Sequence, residues 1–476
     1  MTQHVETSSG RGWNILFIMT DQHRWDALGC AGGWVETPVL DRLASEGVRF
    51  ASAVTNAPGC VPARASLATG LYAHDSGVWR NGPFRLDPAT PNWMRAIRDV
   101  GYSTALFGKA HLHASNTDLR DHVGAMQAIG FETVNEIPGP WGSRYIRSHM
   151  SDAWQSRGLW TAFQRDLDER ATHRSLVRPS PLDLDAYYDT YVAREAQTYL
   201  RRYDDSRPWF LCLSFAGPHE PWDAPEPYAS RYHPGDMPPA IARPSDACEA
   251  PHGLLHERLL SEGPWRSHLD AGDVARLRAN YAGEVSLIDD RIGEVLDTVR
   301  DRGELDRTVI AFASDHGEMN GDYGLLFKSV FLNGAVRIPM IIRTPDTARR
   351  PVGRVYQHPV ELMDLGLTLA GIAGAPSFRL GSARSLAPVL DGSDAPVRDE
   401  VLAEVRGEYM LMDDEWKIAF RPDFTPYLLF DRPADPDEVH NLAGRPATAA
   451  IERALTDRLR QRIASSSPAV PEAVEP

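Results

Sequence analysis

Residues 13–20 read WNILFIMT, an apolar run without polar alternation that stops abruptly at Asp21-Gln22-His23. A strand of this composition is stable only when both faces are covered, which is the situation inside a mainly parallel sheet. Residues 103–107, 209–215, 308–314 and 336–342 predict further strands of the same kind. Helical segments are expected between them, at 37–44 with a stop at Gly47, at 90–101, at 184–203 and at 273–300. Turn-forming glycines and helix-opening prolines mark their ends. In open α/β sheets ligands gather beyond the carboxyl ends of the strands, so the polar residues placed there are the first candidates for a site.

Those positions hold Asp21 and Gln22 after the first strand, Lys109 and His111 after the second, His219 after the third, and Asp315 and His316 after the fourth. Each has a plainer use when taken alone. Asp21 could cap a turn, Lys109 and His111 could be solvated loop residues, and His219 could be a packing group in a proline-rich loop. Lys328 could be a surface lysine and Asn81 an exposed turn amide. A different pattern appears at residues 59–70, GCVPARASLATG. Pro62 suits a first helical turn and Gly70 a C-terminal cap, which predicts a short helix with Cys60 at its N-terminal mouth. That end carries partial positive charge, and Arg64, one helical turn on, adds a rigid fork suited to a tetrahedral oxyanion. The stretch is suited to hold an anion beside a nucleophile.

Composition narrows the partners. A formal charge of −15 argues against nucleic acid and other polyanions, and leaves a small anionic substrate. Cysteines 30, 60, 212 and 248 are too sparse for a disulfide framework. The apolar run near the N-terminus is too short for a membrane span and lacks the shape of a signal peptide, so a cytoplasmic location away from membranes is expected. Residues 116–182 show little periodicity and are expected to form an irregular pocket rim, leaving a homo-oligomer open through the same surface. The acidic pair Asp289-Asp290 lies in the long helix, where adjacent side chains diverge, which predicts a solvated face rather than a site. A catalytic unit is expected over 12–392 and a small α+β unit over 393–465, with disordered tails at 1–11 and 466–476.

Five elements appear together in one order: C-x-P-x-R…L-x-T-G from Cys60, G-Y-S-T and G-K-A-H ending at His111, P-H-E-P around His219, D-H-G from Asp315, and the L-F-D…N-L-A turn near the C-terminus. This set resembles the type I sulfatases. The resemblance implies an α/β fold like alkaline phosphatase, with a large mixed, mostly parallel sheet flanked by helices and a small C-terminal antiparallel sheet with a helix. It implies a sulfuric ester hydrolase in which a formylglycine-generating enzyme oxidises Cys60 to formylglycine. The aldehyde hydrate is then the nucleophile. One divalent metal, Ca²⁺ by family default, would be held by Asp21, Gln22, Asp315, His316 and residue 60, and a nitrogen ligand leaves Mn²⁺ or Mg²⁺ open.

The resemblance further implies that Arg64 and Lys109 position the hydrate, that Lys328 and His219 bind sulfate and protonate the leaving oxygen, and that His111 is the base that releases sulfate. Asn81 would lie near the substrate. Many sulfatases carry Asp-Asp and Asp-Asn at the two metal elements, whereas this chain has Asp21-Gln22 and Asp315-His316. That set looks more like choline sulfatases and phosphonate monoester hydrolases. A phosphonate or phosphodiester hydrolase using the same residues is therefore the alternative, and a catalytically silent binding protein on the same scaffold is a third.

Overall fold

The computed structural model describes residues 12–114, 117–173, 177–242, 270–345, 352–375 and 378–466. The expectations for the tails, apart from Ser466, and for Cys248 lie outside these residues. The main sheet has eight strands, β1 (Asn14–Thr20), β2 (Val48–Phe50), β4 (Ser103–Gly108), β5 (Thr133–Glu136), β6 (Trp209–Ser214), β7 (Thr308–Ser314), β8 (Met340–Arg343) and β9 (Arg354–Tyr356). Their spatial order is β5-β4-β6-β1-β7-β8-β2-β9. Strands β5, β4, β6, β1 and β7 are mutually parallel, while β8 runs antiparallel to both of its neighbours. The sheet is therefore mixed and mostly parallel. Strands β1, β4, β6 and β7 are buried along their whole length, as their unbroken apolar runs require.

Two hydrophobic layers cover the sheet. On one side Phe17 and Phe210 pack with Trp93, Leu67 and Leu365. On the other, Leu16 and Phe312 pack with Tyr188, Val192, Leu287 and Ile292. The helices that supply these layers include α1 (Pro38–Glu46), α2 (Cys60–Thr69), α3 (Tyr188–Arg202), α4 (Ala271–Asp301) and α5 (Leu362–Ile372). A two-stranded parallel ribbon joins β3 (Ala53–Val54) to β10 (Val360–Glu361). Beyond it, β11 (Val401–Val405), β12 (Glu408–Met412), β13 (Trp416–Phe420) and β14 (Pro426–Asp431) form an antiparallel meander. One of its faces packs on Val54, Phe331 and Val336. The other packs on Tyr72, Met363 and the closing helix α6 (Ala449–Ser466), through Leu455 and Leu459.

Several expectations are corrected. The described part of residues 116–182 is not irregular: it contains helices Val123–Ala128, His149–Ser156 and Trp160–His173 and the edge strand β5. Their buried side chains, among them Trp154, Phe163 and Leu167, complete the second layer of the core. Residues 48–55 do not form one strand but are divided between β2 and β3. The strand expected over 336–342 starts only at Met340, because Asn333–Val336 is a helical turn. Helix α6 continues through Ser466, past the expected start of the tail. Asp289 does not face solvent; its fully buried carboxylate accepts the free N–H groups of Val39 and Leu40, each at 2.9 Å, and so caps α1. Among the described residues Cys30, Cys60 and Cys212 are free thiols, and no helix is long and apolar enough to cross a membrane.

Candidate active site

Strand register brings the site together. Thr20 pairs with Ser314 at the ends of β1 and β7, so Asp21 and Asp315 emerge side by side. Gly108 pairs with Ser214 at the ends of β4 and β6, which brings Lys109 and the 216–219 turn to the same edge. The Asp21 N–H then donates to the Gly217 carbonyl, the Lys109 N–H to Ser214 and the Asp315 N–H to Thr20, tying the four strand ends to one another. Helix α2 enters from above with Cys60 as its first residue. Gly70 ends it in the left-handed conformation (φ 68°), where a Cβ would stand 2.1 Å from the Leu380 carbonyl oxygen, so glycine is required on two grounds. Asn81 fastens the helix mouth: its Oδ1 accepts the Val61 N–H at 2.9 Å.

Asp21, Cys60, Asp315 and His316 are buried and each directs one ligand atom into a group spanning no more than 4.8 Å. The Cys60 Sγ lies 3.2 Å from His316 Nε2 and 3.6 Å from Asp21 Oδ1. His316 Nδ1 donates to the Gly317 carbonyl, which leaves Nε2 facing the group. Arg64 lies beneath. Its Nε bonds Asp315 Oδ2 at 2.9 Å and its Nη2 bonds Asp21 Oδ2 at 3.1 Å. Its Nη1 bonds Ser214 Oγ at 3.0 Å and the Lys109 carbonyl. The fork expected to receive an oxyanion is thus filled by protein acceptors and holds the two carboxylates apart. Lys109 Nζ adds a contact to Asp21 Oδ2 at 2.7 Å.

The electrostatics follow from this packing. Burial alone would raise the Asp21 carboxyl, but Lys109, Arg64 and His316 outweigh it and hold the group well below the usual carboxylate range. Burial would likewise lower His316, yet Asp315 and Cys60 push it up to about 9. A second layer centres on Gln22, whose backbone is left-handed (φ 69°). Its N–H donates to Asp315 Oδ1, and its carbonyl accepts the Tyr281 hydroxyl at 2.8 Å. The Gln22 side-chain amide is held by charged neighbours. Its Oε1 accepts from Lys328, and its Nε2 donates to Glu220 at 2.8 Å and to Glu318.

Lys328 Nζ also donates to His219 Nε2 at 2.9 Å, while His219 Nδ1 donates to the Glu220 carbonyl at 2.7 Å. The imidazole is therefore neutral. Burial, Lys328 and Lys109 together keep it well below its usual range, and the mobile proton of the pair sits on Lys328. His111 has a left-handed backbone (φ 57°) and a buried Nδ1 with no partner. Burial and the charges of Lys109 and Arg64 hold it neutral as well.

Glu220, Glu318 and Tyr281 were not singled out from the sequence. Two of them had a local signal, since Glu220 follows His219 and Glu318 lies two residues past His316. Tyr281 had none, being on α4 and meeting Gln22 only in the fold.

The geometry agrees with comparisons to known proteins. The sulfatase family model matches residues 13–375, and the model of the N-sulphoglucosamine sulphohydrolase C-terminal region matches residues 321–465. The chain is 32% identical to the multifunctional alkaline phosphatase superfamily protein PehA of Trinickia caryophylli, over 92% of this chain and 93% of that one. It is 30% identical to the choline-sulfatase of Rhizobium meliloti, over 93% and 85%. Among solved structures, the phosphonate monoester hydrolase of Agrobacterium radiobacter superposes with a TM-score of 0.79 at 27% identity, covering 95% of this chain and 96% of that one. With a family match across most of its length and the fold to accompany it, the chain belongs to the sulfatase family and is an enzyme of the alkaline phosphatase-like fold.

Proposed function

We propose that this enzyme hydrolyses a sulfate ester to an alcohol or phenol and inorganic sulfate, using residue 60 as nucleophile after its conversion to formylglycine. The observation that carries the reading is the convergence of Asp21, Cys60, Asp315 and His316 directly beside the Lys328–His219 pair. Two carboxylates and an outward-facing imidazole nitrogen are a donor set that fits one hard divalent cation, Ca²⁺, Mn²⁺ or Mg²⁺, and Gln22 is the further donor proposed for it. Such an ion would supply Lewis acidity, withdrawing charge from the ester oxygens and favouring ionisation of the nucleophile.

The chain's own residues do the rest. Cys60 lies at the first position of α2, the end whose partial positive charge favours an anion. Arg64 keeps Asp21 and Asp315 charged and separated, and is a positioning residue. Lys109 balances Asp21 and would help to position the hydrate that residue 60 becomes. Lys328 binds an ester oxygen and gives the leaving oxygen its proton, the neutral amine left behind regaining one from water, while neutral His219 orients the Lys328 ammonium by accepting a hydrogen bond at Nε2. His111, neutral and with an unpartnered Nδ1, would accept the hydroxyl proton when sulfate departs. Asn81 acts by fixing the mouth of α2. A formylglycine-generating enzyme is the partner required for maturation.

Peptide mass spectrometry of residue 60 in active enzyme tests this reading: the aldehyde mass is expected, and full activity with only the thiol present would overturn it. The Gln22 and His316 pair and the match to the Agrobacterium hydrolase favour a second reading, a phosphonate monoester or phosphodiester hydrolase. Relative turnover of phenyl sulfate and phenyl phosphonate esters separates the two.

A further inference from the structure

A cavity of about 320 Å³ opens beside the cluster, between α2, the turn after Asn81, and the segments that follow β4 and β5. Its walls are continuous with the site along the chain. Val61 is the residue after Cys60, and His111 lies two residues past Lys109. Pro138 precedes Gly139, where a Cβ would stand 3.2 Å from Lys109 Nζ. The volume corresponds to roughly ten waters, or about ten heavy atoms.

Val61, Phe84, Leu119 and Ile146 make its lining mainly apolar. The carboxylate that lines it, Glu136, is taken up by His113 at 2.7 Å, and His113 stacks on His122 at 4.5 Å. Phe84 is the single Phe, Tyr or Trp side chain among the described residues of the wall. A quaternary ammonium group would therefore find neither a free carboxylate nor a cage of aromatic faces. A second anion would meet no lysine or arginine in the lining.

We propose that this cavity receives the alcohol portion of the ester and selects an uncharged, mainly apolar group, with Val61, Phe84, Leu119 and Ile146 as the residues that set the preference. The inference rests on the ester-hydrolase reading. Two apolar walls that close on a substrate group discriminate by about tenfold or more per missing contact.

The test uses metal-loaded enzyme carrying formylglycine and a matched series of primary alkyl esters: ethyl, 2-phenylethyl and choline. All carry the head group the enzyme turns over, sulfate or methylphosphonate. The expected kcat/KM for the 2-phenylethyl ester exceeds those of the ethyl and choline esters by about tenfold or more. In Phe84→Ala and in Leu119→Ala the ratio of 2-phenylethyl to ethyl falls by about tenfold. Because the measure is a ratio, a variant that is merely less well folded lowers both rates and leaves it unchanged. A flat series, a preference for choline, or a ratio untouched in both variants overturns the proposal. Absence of turnover on every ester removes the hydrolase reading instead, and the proposal with it.

Discussion

Replacing Arg64 by alanine should destabilise the protein strongly in the absence of divalent metal and make it more responsive to metal. The guanidinium is nearly fully buried and bonds two carboxylates that are themselves inaccessible to water. Removing one partner of a buried ion pair costs about 3–5 kcal/mol, because the remaining charge is left uncompensated. With an unfolding entropy of about 2.1 cal/mol/K per residue, a chain of 476 residues loses roughly one degree of Tm for each kcal/mol. The expected loss is therefore about 3–5 °C by scanning calorimetry, in protein made without the maturation enzyme so that residue 60 stays a thiol. Arg64→Lys should recover only part of it, since an ammonium keeps the charge without the planar fork that spans Asp21, Asp315 and Ser214. Adding a divalent cation should raise the Tm of Arg64→Ala by more than that of the parent, because the cation replaces the missing charge. An unchanged Tm, or an equal metal-induced rise in both proteins, would refute the assignment of Arg64 as the group that holds the carboxylates.

Asp315→Ala should lose bound metal and turnover together, read from metal content of the purified protein and from ester hydrolysis; full activity would remove Asp315 from the site. Burial raises the Asp289 carboxyl from its ordinary 3.8 to about 7, so the folded state binds a proton that the unfolded state releases. Stability should fall between about pH 4 and pH 7, by at most about 4 kcal/mol from this residue. Asp289→Asn keeps a cap acceptor for α1 and should flatten that part of the Tm profile; an unaltered profile would contradict the linkage. Lys417 and Glu438 form a buried pair beneath the C-terminal sheet, with Glu438 also accepting the Asn333 N–H at 2.7 Å. Lys417→Met should cost about 3–5 kcal/mol in denaturant unfolding, and Lys417→Met with Glu438→Gln should recover most of it.

The legible part of this molecule is the part written in consecutive residues. A buried strand followed at once by Asp21, Lys109, His219 or Asp315 places those residues at one sheet edge, because parallel pairing aligns the strand ends. The illegible part depends on contacts between distant segments. Residues 148–173 fold as two helices although Trp154, Trp160 and several arginines blur the apolar stripe. The signal was local: Ser148 and Ser151 form a reciprocal cap at the start of the first. Asp289 was judged by its own helix, whereas its role is set by α1 packing its N-terminus against that helix. The clamp on Gln22 likewise joins residues 198 and 296 positions away, and no spacing rule reaches so far.

Charge accounting ties the site to its substrate. Around residue 60 lie four carboxylates, Asp21, Asp315, Glu220 and Glu318, and three fixed cations, Arg64, Lys109 and Lys328, with His111 and His219 neutral. The formal sum with every carboxylate ionised and His316 neutral as a metal ligand is one negative charge, which a divalent cation turns into one positive charge. A monoanionic ester brings it to zero in a region that burial makes intolerant of net charge. A dianion would leave the excess negative again. Sulfate monoesters, phosphonate monoesters and phosphodiesters are all monoanions near neutral pH, whereas simple phosphate monoesters are largely dianions. The same balance accommodates both hydrolase readings, so net charge alone does not separate them. The cavity lined by Val61, Phe84, Leu119 and Ile146 acts on the alcohol portion under either reading, through contacts that carry no charge.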